Sequence, residues 1–161
     1  MNAAAELRGS LEMFRRKGIS AGLFTPEWAE GGEPENAFYL NQIHSGEVHL
    51  LSAGDDLNSR PKADAVITRE SRCSLCVRTA DCLPILLADH TSGWIAAIHG
   101  GWRGLQQHII GNTFGMLAGF GVSGSDVSVY IGPSVRNCCY CVSEEMKTAF
   151  DGRYFSERSD G

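Results

Sequence analysis

The stretch from residue 76 to 104, CVRTADCLPILLADHTSGWIAAIHGGWRG, constrains the fold more than any other part of the chain. Two apolar runs, 83–88 and 94–98, flank a polar turn at 89–93. Aliphatic residues bounded by turn formers predict two buried strands. So short a connection suits an antiparallel hairpin, because parallel neighbours need a long crossover. The start of one strand then lies beside the end of the other. Thr79, Asp81 and Cys82 come just before the first strand, and His99, Trp102 and Arg103 just after the second. The hairpin therefore predicts that Cys82 and His99 are neighbours.

Around this centre the chain reads as further strands with helices before and after. Residues 2–17 predict an amphipathic helix on Leu7, Leu11 and Phe14, stopped by Gly18. Strands are predicted at 19–25, 37–43, 47–52, 64–68 and 74–79, with exposed loops at 26–36 and 53–62. A helix is predicted over 105–117, although Gly111 and Gly115 lower its propensity. A strand at 126–131 and a helix at 143–150, with Ser143 as its N-cap, complete the pattern. The fold class expected is α+β: a single domain over 1–161 with mixed or antiparallel sheets flanked by helices.

Charge and cysteine usage exclude several functions. A net charge of −5, with no basic block beyond Arg15-Arg16-Lys17, lacks the backbone-neutralising surface of a nucleic-acid binder. No apolar run is long enough to span a bilayer, so no membrane partner is expected. Six cysteines behind an N-terminus with no basic-then-apolar leader are expected to be thiols in a cytoplasmic protein. The Cys73/Cys76 pair, spaced within a strand so as to face opposite ways, reads as core rather than redox motif.

His44, Cys82 and His99 all fall at predicted strand ends and are metal or nucleophile candidates. Two imidazoles and one thiolate with an open fourth position suit a catalytic zinc. The same atoms also suit a thiolate nucleophile, Cys82, with His99 as base and Thr79 or Asp81 orienting it. In His99-Gly-Gly-Trp-Arg-Gly104 the glycines allow close backbone approach, Arg103 offers a fork for phosphate or carboxylate, and Trp102 offers a stacking face. His49, His90 and His108 are left aside as structural or solvated. A second metal site at Cys138, Cys139 and Cys141 is disfavoured, because adjacent cysteines chelate one ion poorly.

Five ordered blocks carry a resemblance: Asn41-Gln-Ile-His-Ser-Gly46, Ala63-Asp-Ala-Val-Ile-Thr68, Thr79-Ala-Asp-Cys-Leu-Pro84, Ile98-His-Gly-Gly-Trp-Arg-Gly104, and Ile131-Gly-Pro-Ser134 with Cys139-Tyr140. Together the chain resembles the laccase-domain family, also labelled multicopper polyphenol oxidoreductase, whose members are described as purine nucleoside phosphorylases with adenosine deaminase activity. The resemblance implies zinc on His44, Cys82 and His99, and a fold similar to the catalytic domain of cytotoxic necrotizing factor. It implies a catalytic set of Cys82, His99, Asp81 and Arg103. Gln42, Thr79, Gly101, Trp102 and Arg103 are implied to face a small-molecule substrate, with Arg103 helping to hold phosphate. Copper fits less well than zinc, since a multicopper site needs many histidines and this chain has five. Some members resemble instead an amide hydrolase that edits peptidoglycan precursors. Against the family pattern the chain is expected to be a short member without the usual C-terminal segment, with Cys141 where an acidic residue is commoner. That shortening implies two further expectations: a zinc-binding domain without catalysis, and an exposed sheet edge favouring a homo-oligomer.

Overall fold

A computed structural model of the chain describes residues 36–157, together with 19, 21, 22 and 34. The helix expected at 2–17 lies outside these residues, and the strand expected at 19–25 lies largely outside them. The described strands are β1 (Ala37–Tyr39), β2 (Val48–Leu51), β3 (Ala65–Thr68), β4 (Ser74–Cys76), β5 (Leu83–Asp89), β6 (Ile95–Gly100) and β7 (Val127–Ile131). The helices are α1 (Trp102–Gln106), α2 (Ile109–Gly119) and α3 (Glu144–Ala149). The α+β class is as expected. None of the described helices is long and apolar enough to cross a membrane.

Five strands form the main sheet in the order β2-β3-β6-β5-β7, parallel between β2 and β3 and antiparallel elsewhere. Alternation along each strand divides the core into two faces. Ala65, Ile67, Ala96 and Ile98 face one side, where α2 delivers Ile109 and Leu117. Val66 and Ala97 face the other, where β1 and β4 pair in parallel and bring Phe38 and Leu75 against them. The result is a helix, a sheet and a two-stranded ribbon in three layers.

The hairpin forms as expected, with Leu83 opposite Gly100 and Pro84 opposite His99. Its second strand runs two residues beyond the expected end, so His99 lies within β6. The polar turn is held by Asp89, only 2% exposed. Its carboxylate accepts from Thr91 N at 3.0 Å, Thr91 Oγ1 at 2.8 Å and Ser92 N at 2.8 Å, and from the Ser92 hydroxyl. Burial opposes ionisation of Asp89, but the hydrogen bonds from Ser92 and Thr91 outweigh it and hold the carboxyl well below its usual range. Asp89→Ala should therefore cost about 2 kcal/mol at pH 7 in urea denaturation. A depressed folded pKa gives stability that is complete above the unfolded value of about 4 and is lost as pH falls through the folded value. The gap between wild type and variant should accordingly narrow below pH about 4; a pH-independent gap would assign the loss to packing alone.

Four elements differ from expectation. The strand expected at 37–43 stops at Tyr39, because the chain beyond it turns to wrap a buried carboxylate described below. The strand expected at 74–79 stops at Cys76. There the side chain of Gln42 takes over the pairing, accepting from Arg78 N and donating to Arg78 O, both at 2.8 Å. The single helix expected at 105–117 is two, broken at His108, whose φ of 60° is left-handed. Ser143 occupies the N-cap of α3, but through its backbone carbonyl, which accepts from Met146 N and Lys147 N; its hydroxyl makes no capping bond.

Candidate metal centre

The site is built on Asp64, fully buried immediately before β3. Its Oδ1 accepts from His44 N at 2.9 Å and His99 Nδ1 at 2.8 Å. Its Oδ2 accepts from Ser45 N at 2.7 Å, Ser45 Oγ at 2.8 Å and Ile43 N at 3.2 Å. Three successive backbone N–H groups thus converge on one carboxylate, an anion-binding nest. His44 adopts φ 58° to make that turn, a strained conformation for a non-glycine residue. Burial by itself would raise the Asp64 carboxyl; the hydrogen bonds from His99, Ser45 and His44 hold it below its ordinary value. One charged side chain therefore fixes two of the three candidate ligands.

His44, Cys82 and His99 come together with their ligand atoms all within 4.8 Å of one another. The two imidazoles meet edge to face, centroids 4.8 Å apart at 80°. With Nδ1 of His99 committed to Asp64, its Nε2 is left to bind, and the carboxylate behind it fixes the orientation of the ring. A Cβ on Gly101 would stand 2.8 Å from His44 Cδ2 and 3.4 Å from Cys82 Sγ, so only glycine lets these side chains close up. A Cβ on Gly104 would stand 2.8 Å from Ser45 O, and α1 can lie on the His44 turn for that reason. Burial, with Asp81 and Asp64 nearby, pushes the Cys82 thiol up, so on its own it stays protonated near neutrality. A divalent cation reverses that preference. The donor set fits: two imidazole nitrogens and a sulfur, half open to solvent, could hold a metal ion.

A cleft of about 480 Å³ opens over these residues. Thr79 and Asp81 line it beside the three candidate ligands, as do Asn41, Gln42 and Arg78. The amide of Gln42 is engaged at both ends by the Arg78 backbone, which makes it a clamp on the cleft wall. Gly101 sits against the ligands, but neither Trp102 nor Arg103 belongs to the lining. The Arg103 guanidinium covers the Trp102 ring at 4.1 Å and approaches the Glu145 carboxylate at 3.3 Å.

Asp64 and Arg78 were not singled out by sequence reasoning. Asp64 left a usable signal: a lone acid heading the apolar run Ala-Val-Ile must be buried, and a buried acid needs donors. Arg78 left none. Of the other histidines, His49 stacks on Phe38 at 5.6 Å and His108 is exposed at the helix break. His90, expected in solvent, is half-buried and bonded to the Ser128 hydroxyl. None of the six cysteines is in a disulfide, and Sγ of Cys138 and Cys139 lie 3.3 Å apart. Burial, with Cys82 and Asp81 nearby, raises the Tyr140 phenol.

Comparison with known proteins places the chain in a family and a fold. A purine nucleoside phosphorylase of Bacteroides thetaiotaomicron is 47% identical over 124 residues, covering 76% of this chain and 46% of its own length. One from Aquifex aeolicus is 42% identical over 117 residues, covering 72% and 53%. Among solved structures, Neisseria meningitidis protein NMB0706 superposes with a TM-score of 0.61 at 36% identity, over 71% of this chain and 45% of that one. Bacillus licheniformis hypothetical protein YfiH shares the fold, with a TM-score of 0.66 at 24% identity over 71% and 46%. The chain spans about half the length of the curated relatives it matches. The family described as multi-copper polyphenol oxidoreductase laccase matches residues 27–160, and the chain belongs to that family.

Proposed function

We propose that this chain provides the zinc centre of a purine nucleoside phosphorylase acting on adenosine or inosine, with deamination of adenosine as a companion activity. The observation that carries the reading is the convergence of His44, Cys82 and His99 on one point at the floor of the cleft. The names of the relatives support the substrate class. One thiolate and two imidazoles favour zinc over copper. When bound, zinc supplies Lewis acidity to a polar group of the substrate or to water.

In phosphorolysis a phosphate oxygen bonds to ribose C1′ as the bond to the purine breaks. Asp64 keeps His99 in one tautomer and one orientation throughout. Thr79 and Asp81 give the cleft a hydroxyl and a carboxylate, suited to the hydroxyls of a ribose. A Cys–His amide hydrolase with Cys82 as nucleophile would need a thiolate that burial and two carboxylates oppose, and a zinc amide hydrolase on the same three residues would release an amino acid rather than free base and ribose 1-phosphate.

Metal analysis by mass spectrometry tests the reading on wild type and Cys82→Ala, each purified without added metal. About one zinc per chain is expected in the wild type, with none in the variant and no release of free base and ribose 1-phosphate. A metal-free Cys82→Ala protein with full turnover would rule the zinc reading out.

A further inference from the structure

The six thiols of the chain differ in their surroundings. Cys73 and Cys82 are half-buried, and burial raises both. Cys73 and Cys76 also donate to the backbone carbonyls of Glu70 and Ser74. Cys138, Cys139 and Cys141 stand exposed in the loop that follows β7. There Cys139 N donates to Arg136 O at 3.0 Å and closes a turn over residues 136–139. The turn brings Sγ of Cys138 and Sγ of Cys139 to 3.3 Å, hydrogen-bond distance for sulfur. We propose that Cys138 and Cys139 form a peroxide-sensitive dithiol, a site of reversible oxidative modification that closes to a disulfide between chain neighbours.

Oxidation of this kind selects exposed thiols with a second thiol poised to resolve them. The Cys138 thiolate attacks hydrogen peroxide: an S–O bond forms, the O–O bond breaks, and the departing hydroxide takes up a proton as water. Cys139, whose thiol is raised by its bond to Cys138, keeps its proton through that step. Its sulfur then attacks Cys138 Sγ. The S–S bond forms, the S–O bond breaks, and the hydroxide leaves with the Cys139 proton as a second water. Two electrons pass in all from the two sulfurs to the peroxide. A partner already at 3.3 Å makes the second step intramolecular and favours it over further oxidation of the first sulfur. Reversibility follows from adjacency. Neighbouring α-carbons stand about 3.8 Å apart across a trans peptide, short of the about 4.4–6.8 Å of ordinary disulfides. Such a bond is strained and readily reduced. Cys82 is the competing partner, because the same loop is braced on either side of it. Gly132 N donates to Pro84 O at 2.8 Å, and Val135 N to Asp81 O at 3.0 Å.

The dithiol requires neither the metal nor the reaction proposed for the cleft, and peptide masses rather than turnover test it. The full chain is treated with hydrogen peroxide, its remaining thiols are blocked with iodoacetamide, and it is cut with trypsin. Cleavage after Arg136 and Lys147 releases residues 137–147, which hold Cys138, Cys139 and Cys141; cleavage after Arg78 and Arg103 isolates Cys82. The 137–147 peptide should lose two hydrogens and retain one alkylated thiol, placed by fragmentation on Cys141. Dithiothreitol before blocking should return all three thiols. Cys141→Ser should close its disulfide within about twofold of the wild-type rate, and Cys138→Ser and Cys139→Ser should each slow closure in this peptide at least about tenfold. A disulfide that includes Cys141 or Cys82 overturns the pairing. Overturning the proposal too would be a wild type in which these sulfurs gain oxygen without closing, or in which Cys73 and Cys76 are oxidised first.

Discussion

Asp64→Asn should lower stability by about 3 kcal/mol and weaken zinc binding by one to two orders of magnitude. The change keeps shape and removes charge, so no cavity confuses the result. What it cannot keep is the acceptor count, because every partner of the Asp64 carboxylate donates. If the new amide nitrogen takes the place of Oδ2, the N–H groups of Ile43 and Ser45 face another donor. If it takes the place of Oδ1, His44 N–H is orphaned and His99 must present an unprotonated Nδ1. The proton then moves to Nε2, the nitrogen that would bind zinc. Thermal melts with and without chelator, and a zinc titration against a competing chelator, measure the two losses separately. Wild-type affinity in Asp64→Asn would show that His99 is oriented by its strand alone.

A second large effect is expected at Gly101→Ala. The added methyl meets His44 Cδ2 at 2.8 Å, closer than carbon atoms approach. His44 is the exposed member of the trio, on a turn rather than in a strand, and its ring is what can yield. The fold should therefore lose only about 1–3 kcal/mol, while zinc affinity falls at least about tenfold with one ligand displaced. The opposite pattern, a badly destabilised protein that still takes up zinc tightly, would mean that the backbone moves and the imidazole does not. Measuring melting temperature and zinc affinity on the same preparation decides between them.

Much of the centre was legible in the sequence because a hairpin is a local object. The strands 83–88 and 94–98 and the turn between them determine the neighbours of Cys82 and His99 without reference to anything remote. His44 was legible as a chemical candidate only. Its arrival depends on the parallel pairing of β2 with β3 and on a carboxylate twenty residues on in the chain, and no periodicity encodes either. The early ends of the strands expected at 37–43 and 74–79 have the same origin. Side chains there, Asp64 and Gln42, satisfy backbone groups that a pattern-based reading assigns to a strand ladder. The break at His108 was illegible for another reason: apolar spacing continues across it while one residue turns left-handed. Arg103 is attractive beside two glycines on paper, but the helix that begins at Trp102 carries it towards Glu145.

The division of the centre between a local hairpin and a distant turn has a kinetic consequence. Closing a short turn costs little chain entropy, and hairpins form in about 1–10 μs. Pairing β3 with β6, and β2 with β3, requires much longer loops to close and so comes later. Cys82 and His99 therefore meet early, as a half-built chelate on a nascent hairpin, and the turn bearing His44 closes over them once Asp64 has docked. The order in which the chain folds is thus also the order in which its candidate metal ligands assemble, with the solvent-exposed imidazole last.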